Sequence, residues 1–174
     1  LWAETVKAVR KLCPGTTLET LIPDFRGKWE NLQRLIDVAP EIVSHNLETV
    51  WRLTKKVRIQ AKYDVSLDVL RKLKVAGMRT KSGIMLGLGE SAEEVFETME
   101  DLKNAGVDIL TIGQYLQPTR QHLPVEKFVE PETFAQYKKA GIEMGFSVVE
   151  SGPLVRSSYH AEKHIQSPAP QGKG

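Results

Sequence analysis

Short β-branched runs alternate with longer amphipathic stretches along nearly the whole chain, and that alternation is the signature of strand-then-helix units around a parallel sheet. Trp2, Val6, Val9 and Cys13 fall at helical spacing, so the chain opens inside a helix. Residues 16–22 (TTLETLI) read as a first strand that stops at Pro23-Asp24, and Trp29, Leu32 and Ile36 mark the face of a following helix. Ile42-Val43-Ser44 is a second strand. Leu67, Leu70 and Leu73 recur at threes before Gly77, a natural residue just past a helix, and residues 80–88 (TKSGIMLGL) form a buried strand that runs into a loop at Gly89-Glu90. Ser91 and Glu94 have the form of a capping box, and Ala92, Val95, Phe96, Met99 and Leu102 give the helix it opens one apolar face. Residues 107–112 are a further strand, followed by a loop over 113–119. Phe134, Tyr137, Gly141 and Met144 line a last helix, and residues 146–150 a last strand. Residues 48–63 stay ambiguous, because Lys55, Lys56, Arg58 and Lys62 spoil a clean apolar face.

The fold class is therefore α/β. Four or five such units are too few for a closed eight-stranded barrel, which takes about 250 residues, so an open doubly wound sheet or a partial barrel remains. Residues 1–165 read as one unit and residues 166–174, rich in Pro, Gly and polar residues, as a disordered tail. A net charge of +2 gives no broad basic field of the kind that advertises nucleic-acid binding, and any anionic partner needs a local patch. No apolar run approaches the roughly 18 to 20 residues of a membrane span, and the chain reads as soluble and not secreted. A lone cysteine, Cys13, excludes an internal disulfide and any all-cysteine metal site made by this chain alone.

In both remaining architectures chemistry collects at the carboxyl ends of the strands. Gly87-Leu-Gly89-Glu-Ser-Ala92 fits a dinucleotide-binding turn in form, but Glu90 would put a carboxylate near the phosphates, and a plain tight turn also accounts for the glycines. His45, Asn46 and Glu48 place an imidazole, an amide and a carboxylate together, enough to hold a polar ligand, although Asn46 could instead cap a helix. Lys81 begins a buried strand and needs a partner, either a ligand or a structural ion pair. The segment from Pro153 to His160 groups Arg156, Ser157, Ser158, Tyr159 and His160 after the last strand, yet lacks the nucleophile elbow of a serine hydrolase.

Six strings, taken in order, carry a resemblance: Pro14-Gly-Thr-Thr17, Leu21-Ile-Pro-Asp-Phe25, Ser44-His-Asn-Leu-Glu-Thr49, Lys81-Ser-Gly-Ile-Met-Leu-Gly-Leu-Gly-Glu90, Gly113-Gln-Tyr-Leu-Gln-Pro-Thr119 and Ser151-Gly-Pro-Leu-Val-Arg-Ser-Ser-Tyr159. From about Leu1 to Ala161 the chain resembles the lipoyl synthase family of radical S-adenosylmethionine enzymes. The resemblance implies a partial (β/α) barrel, of which this chain holds the C-terminal strand-helix units. It implies a sulfurtransferase with two [4Fe–4S] clusters and S-adenosylmethionine, inserting sulfur at C6 and C8 of a protein-bound octanoyl-lysine in lipoate biosynthesis. Implied partners are octanoylated lipoyl domains of 2-oxoacid dehydrogenases, the glycine cleavage H protein and an electron donor such as ferredoxin or flavodoxin. The implied location is the cytoplasm, with an organelle left open.

Both cysteine runs of that family, one holding each cluster, are missing here, so the chain taken alone is expected to bind neither cluster and to be inactive. Their absence and the non-Met start suggest the C-terminal part of a longer protein. By the resemblance Ser158, the second serine of Arg-Ser-Ser-Tyr, is the auxiliary cluster's fourth ligand, with Arg156 and Tyr159 orienting its loop. Asn46, Glu48 and Lys81 are the expected contacts of S-adenosylmethionine, with Glu90 and Gln114 as further candidates. The Lys55, Lys56, Arg58 and Lys62 cluster is either a solvated face or a dock for an acidic lipoyl domain. A cluster-free carrier-binding module and a dinucleotide-dependent oxidoreductase are the alternatives from other classes.

Overall fold

The computed structural model describes residues 1–165; the tail expected over 166–174 lies outside the described residues. The elements run α1 (Trp2–Leu12), β1 (Glu19–Leu21), a 3-10 turn (Phe25–Gly27), α2 (Trp29–Val38), β2 (Ile42–Ser44), a second 3-10 turn (Trp51–Leu53), α3 (Thr54–Val57), α4 (Tyr63–Val75), β3 (Thr80–Leu86), α5 (Ala92–Asn104), β4 (Ile109–Gln114), α6 (Pro131–Glu143), β5 (Val148–Gly152) and α7 (Ala161–His164).

The five strands are all parallel and lie in the order β1-β2-β3-β4-β5. A doubly wound sheet reverses its strand order at a switch point, and this sheet never does. Successive right-handed crossovers that step in one direction put their helices on one face of the sheet, which makes the assembly an arc of a (β/α) barrel. That strand order bears out the partial barrel implied by the resemblance over the doubly wound sheet that the residue pattern had left open.

Alternate residues of each strand face opposite ways. On the helix side, Ile84, Leu86, Leu110, Ile112 and Val149 pack with Leu70, Val95, Met99, Leu102 and Phe134 in one cluster, while Val43 joins Val6, Leu32, Leu35, Val69 and Leu73 in a second. α4 serves both, through Leu67 and Leu70 on one side and Val69 and Leu73 on the other. Truncating one of the fully buried leucines, such as Leu70 or Leu102, costs about 2–5 kcal/mol in sites of this kind. The opposite, inner face carries the register partners Ser44 and Lys81, then Gly83 with Thr111 and Glu150.

Several boundaries differ from the sequence reading, for reasons visible in the pairing. β1 keeps only Glu19–Leu21 of residues 16–22, because its partner β2 offers three residues, Ile42 to Ser44. β4 starts at Ile109 rather than Val107: the Asp108 carboxylate accepts from the Thr80 N–H at 2.9 Å and from Lys74 at 2.6 Å. It also runs on through Gly113 and Gln114, read from sequence as loop, because β3 stays in register as far as Leu86. β5 is shifted to Val148–Gly152 by the same ladder. The capping box at Ser91 and Glu94 forms as expected. The ambiguous stretch resolves into two short turns of helix, and Arg58 is drawn inward, its Nη1 donating to the Asn46 carbonyl at 3.0 Å and the Ser66 hydroxyl at 3.2 Å. Arg58 is thus a structural cation and not part of a solvated basic face.

Candidate cofactor cleft at the strand ends

The carboxyl ends of β2, β3 and β4, together with the segment that leaves β5, enclose a cleft of about 280 Å³. Asn46, Glu48, Gly83, Thr111, Gly113, Gln114, Arg156 and Ser157 line it, with Leu21, Met85, Leu116 and Val155 as apolar surface.

Glu48 is the most constrained of these residues. Its φ of 67° is left-handed, a conformation that costs a non-glycine residue about 1–3 kcal/mol and tends to cluster at functional sites. The neighbouring strand pins it there, since the Glu48 N–H donates to the Gly83 carbonyl at 3.0 Å and its carbonyl accepts from Met85 at 2.9 Å. Burial raises the Glu48 carboxyl above its ordinary pKa, opposed by the Asn46 side-chain hydrogen bond and the Arg58 charge. The Asn46 Oδ1 is buried with no hydrogen-bond partner. Gly83 makes this arrangement possible: a Cβ there would sit 2.4 Å from the Thr111 Oγ1 and 3.3 Å from the Asn46 Oδ1.

The opposite wall is built on a second glycine. A Cβ on Gly113 would meet the Val155 carbonyl oxygen at 2.3 Å, so the chain after β5 lies directly on β4. Arg156 fastens it, its Nη1 donating to the Val155 carbonyl at 2.8 Å and to the Gln114 carbonyl at 3.4 Å.

Of the residues singled out from sequence, Asn46, Glu48, Gln114 and Arg156 meet in this cleft. Ser158 and Tyr159 follow Arg156 on its exposed rim, with the Tyr159 ring against His160. Three expected contacts are engaged elsewhere. Lys81 is fully buried and donates to both carboxylate oxygens of Glu19, at 2.8 and 2.9 Å, which is the structural ion pair weighed against its ligand role. The Gln114 amide staples the 127–129 segment, donating to the Lys127 carbonyl and accepting from the Val129 N–H, so it meets the cleft without a free amide. Glu90 folds back onto its own turn and accepts from the Gly87 N–H at 2.6 Å and the Leu88 N–H at 2.9 Å. A carboxylate thereby occupies the N–H groups that a dinucleotide pyrophosphate would need. His45 lies beneath the cleft, its Nδ1 against the Ile22 carbonyl at 2.9 Å and its pKa lowered by burial.

Ser157, grouped with Arg156 in the sequence, also lines the cleft, whereas sequence reasoning missed Gly83, Thr111 and Gly113 as lining residues. The available signal was small residues at inner positions of strands whose helix-side neighbours are bulky. Among the described residues no group of three or more His, Cys, Asp or Glu side chains gathers as a metal site, and Cys13 is exposed at the end of α1.

The model of the Radical SAM superfamily matches residues 1–102, more than half of the sequence. Among solved structures, methylornithine synthase matches with a TM-score of 0.62 at 17% identity, over 89% of this chain and 53% of that one. Streptococcus suis SuiB matches with a TM-score of 0.62 at 11% identity, over 85% of this chain and 35% of that one. At those identities the likeness is one of fold. The chain belongs to the radical SAM superfamily.

Within it the similarity is to lipoyl synthases. The chain is 66% identical over 166 residues to the lipoyl synthase of Flavobacterium johnsoniae and 67% identical over 166 residues to the mitochondrial lipoyl synthase of Nematostella vectensis. These alignments take in 95% of this chain but 58% and 57% of the relatives, so the chain spans less than two thirds of their length.

Proposed function

We propose that this chain supplies the C-terminal wall of a lipoyl synthase, an enzyme that inserts sulfur at C6 and C8 of a protein-bound octanoyl-lysine, and that its cleft holds S-adenosylmethionine. The observation that carries the second part is the Asn46 Oδ1: a buried acceptor without a partner, beside a carboxyl group in a strained backbone position, over a glycine that leaves space. Such a set suits a ligand rich in hydroxyl and ammonium donors. Asn46 and Glu48 would hold those donors, while Thr111 and the backbone at Gly113 would bound the other side. When bound with its reducing cluster, S-adenosylmethionine supplies the radical that removes hydrogen from the acyl chain. The cysteines for both clusters would come from outside this chain, with Ser158 as this chain's own ligand to the auxiliary one. Reducing equivalents would come from a ferredoxin or flavodoxin.

In a complete enzyme, Asn46→Ala and Glu48→Gln are each expected to weaken S-adenosylmethionine binding by about tenfold or more, the size of a lost hydrogen bond to a charged group. Equilibrium binding with the clusters assembled measures this, and full affinity in both variants would refute the placement.

The carrier is expected to dock at the rim beside β1 and β2. Exposed Lys55 and Lys56 on α3 lie in the same stretch as exposed Trp51 and Ile59, and Arg26 and Lys28 line a neighbouring cleft of about 680 Å³. An acidic octanoylated lipoyl domain or H protein complements that charge. Reversing Lys55 and Lys56 to Glu should weaken carrier binding several-fold at low salt and little at high salt, where screening already removes the attraction. Titration at two ionic strengths decides it, and an unchanged affinity at low salt makes the patch irrelevant. Among the described residues no helix is long and apolar enough to cross a membrane; the reading places the enzyme in the cytoplasm or in an organelle.

A further inference from the structure

The Lys81 ammonium has three N–H groups to satisfy and three oxygen or nitrogen atoms within hydrogen-bond distance. Two are the carboxylate oxygens of Glu19; the third is the Nδ1 of His164, at 3.2 Å. Glu19 lies in β1, Lys81 in β3 and His164 at the end of α7, so one cation ties together segments 62 and 83 residues away from it. Both Lys81 and His164 are 0% exposed.

α7 has four residues, too few for a helix to persist on its own. Something in the tertiary structure must hold it, and Lys81 is the charged group that its buried side chain meets. Between β5 and α7 runs the segment that carries Arg156, Ser157, Ser158 and Tyr159. That segment is fixed at its start by Val155 over Gly113 and at its end by His164 over Lys81.

We infer that Lys81 and His164 form a latch, a pair of positioning residues whose hydrogen bond holds the 156–160 segment across the inner face of the sheet. The bond requires a neutral imidazole with a bare Nδ1 and its proton on Nε2. Burial first, and then the Lys81 charge, hold the His164 pKa down to about 4; Arg79 acts in the same direction, while Glu150 and Glu162 oppose it. The imidazole is therefore neutral at neutral pH. A broken latch frees the end of the segment while leaving the cleft residues of β2, β3 and β4 in place.

The test compares hydrogen exchange in the full-length protein carrying His164→Leu, which keeps most of the bulk without an acceptor, with His164→Asn, which keeps an acceptor near the Nδ1 position. Amides of residues 155–164 are expected to exchange at least about tenfold faster in His164→Leu, the consequence of losing one charge-assisted hydrogen bond, and to regain protection in His164→Asn. Unchanged protection in His164→Leu, or no recovery in His164→Asn, would overturn the latch. Should the leucine variant fail to fold, the imidazole 15N shifts of His164 in the unaltered protein decide the matter. A proton on Nε2 with a bare Nδ1 supports the bond, and a proton on Nδ1 rules it out. The importance of the latch for sulfur insertion rests on the proposed role of Ser158, but the exchange readout does not. Faster exchange with intact lipoyl formation would keep the latch and remove that role.

Discussion

Ser158→Ala in a complete enzyme is expected to leave cleavage of S-adenosylmethionine at its normal rate and to abolish lipoyl formation. Ser158 sits on the exposed rim two residues beyond Arg156, clear of the cleft assigned to S-adenosylmethionine. Removing an exposed hydroxyl changes stability by no more than about 0.5 kcal/mol, so a lost activity cannot be laid to misfolding. A hydroxyl or alkoxide oxygen is a harder ligand for iron than a thiolate, so under the proposed role Ser158 would be the ligand most readily displaced. Quantifying 5′-deoxyadenosine and lipoyl product in the same single-turnover sample separates the two halves of the activity. A normal lipoyl yield, or parallel loss of both products, would count against the assigned role.

Gly113→Ala should abolish lipoyl formation by moving the whole loop, and because Val155, Arg156 and Ser157 also line the cleft it should weaken S-adenosylmethionine binding as well. The new Cβ would lie 2.3 Å from the Val155 carbonyl oxygen and 3.3 Å from its carbon, both backbone atoms that no rotamer change can clear. Overpacking of this kind costs about 1–3 kcal/mol, and the weaker element yields. β4 is hydrogen-bonded on both sides, to β3 and to β5, whereas the loop is fastened through Arg156 and, further along, His164. The loop is therefore the part that shifts. Limited proteolysis should cut residues 153–160 readily, and both lipoyl formation and S-adenosylmethionine binding should fall. Gly152→Ala is the control: its Cβ would meet the Val155 Cγ2 at 3.5 Å, an ordinary contact, and little should change. Equal behaviour of the two variants would sink the argument.

The strand-helix rhythm was legible because each element buries one face, and apolar residues therefore recur at the period of the element. The same local logic found the Ser91 capping box and the strand-end strings that hold Asn46, Glu48 and Arg156. It placed Gly113 and Gln114 in a loop, because nothing in those residues reveals that β3 remains alongside them. Lys81 shows the limit most clearly: an ammonium at the start of a buried strand announces that it needs an acceptor, but Glu19 and His164 are distant in sequence. A side chain's chemistry states its demand, and only chain topology determines what meets it.

By itself the sequence determined the α/β class, the main strands and helices outside residues 48–63, and the lipoyl synthase resemblance, which rest on local periodicities and on short strings in a fixed order along the chain. Residue patterning left the barrel arc open against a doubly wound sheet, and strand order, a relation between segments that share no local pattern, bears out the partial barrel that the resemblance implied. Tertiary structure alone decided that Lys81, Glu90 and the Gln114 amide are engaged within the protein while Asn46 and Glu48 face the cleft, because the burial of a polar group is set by whichever distant segment packs against it.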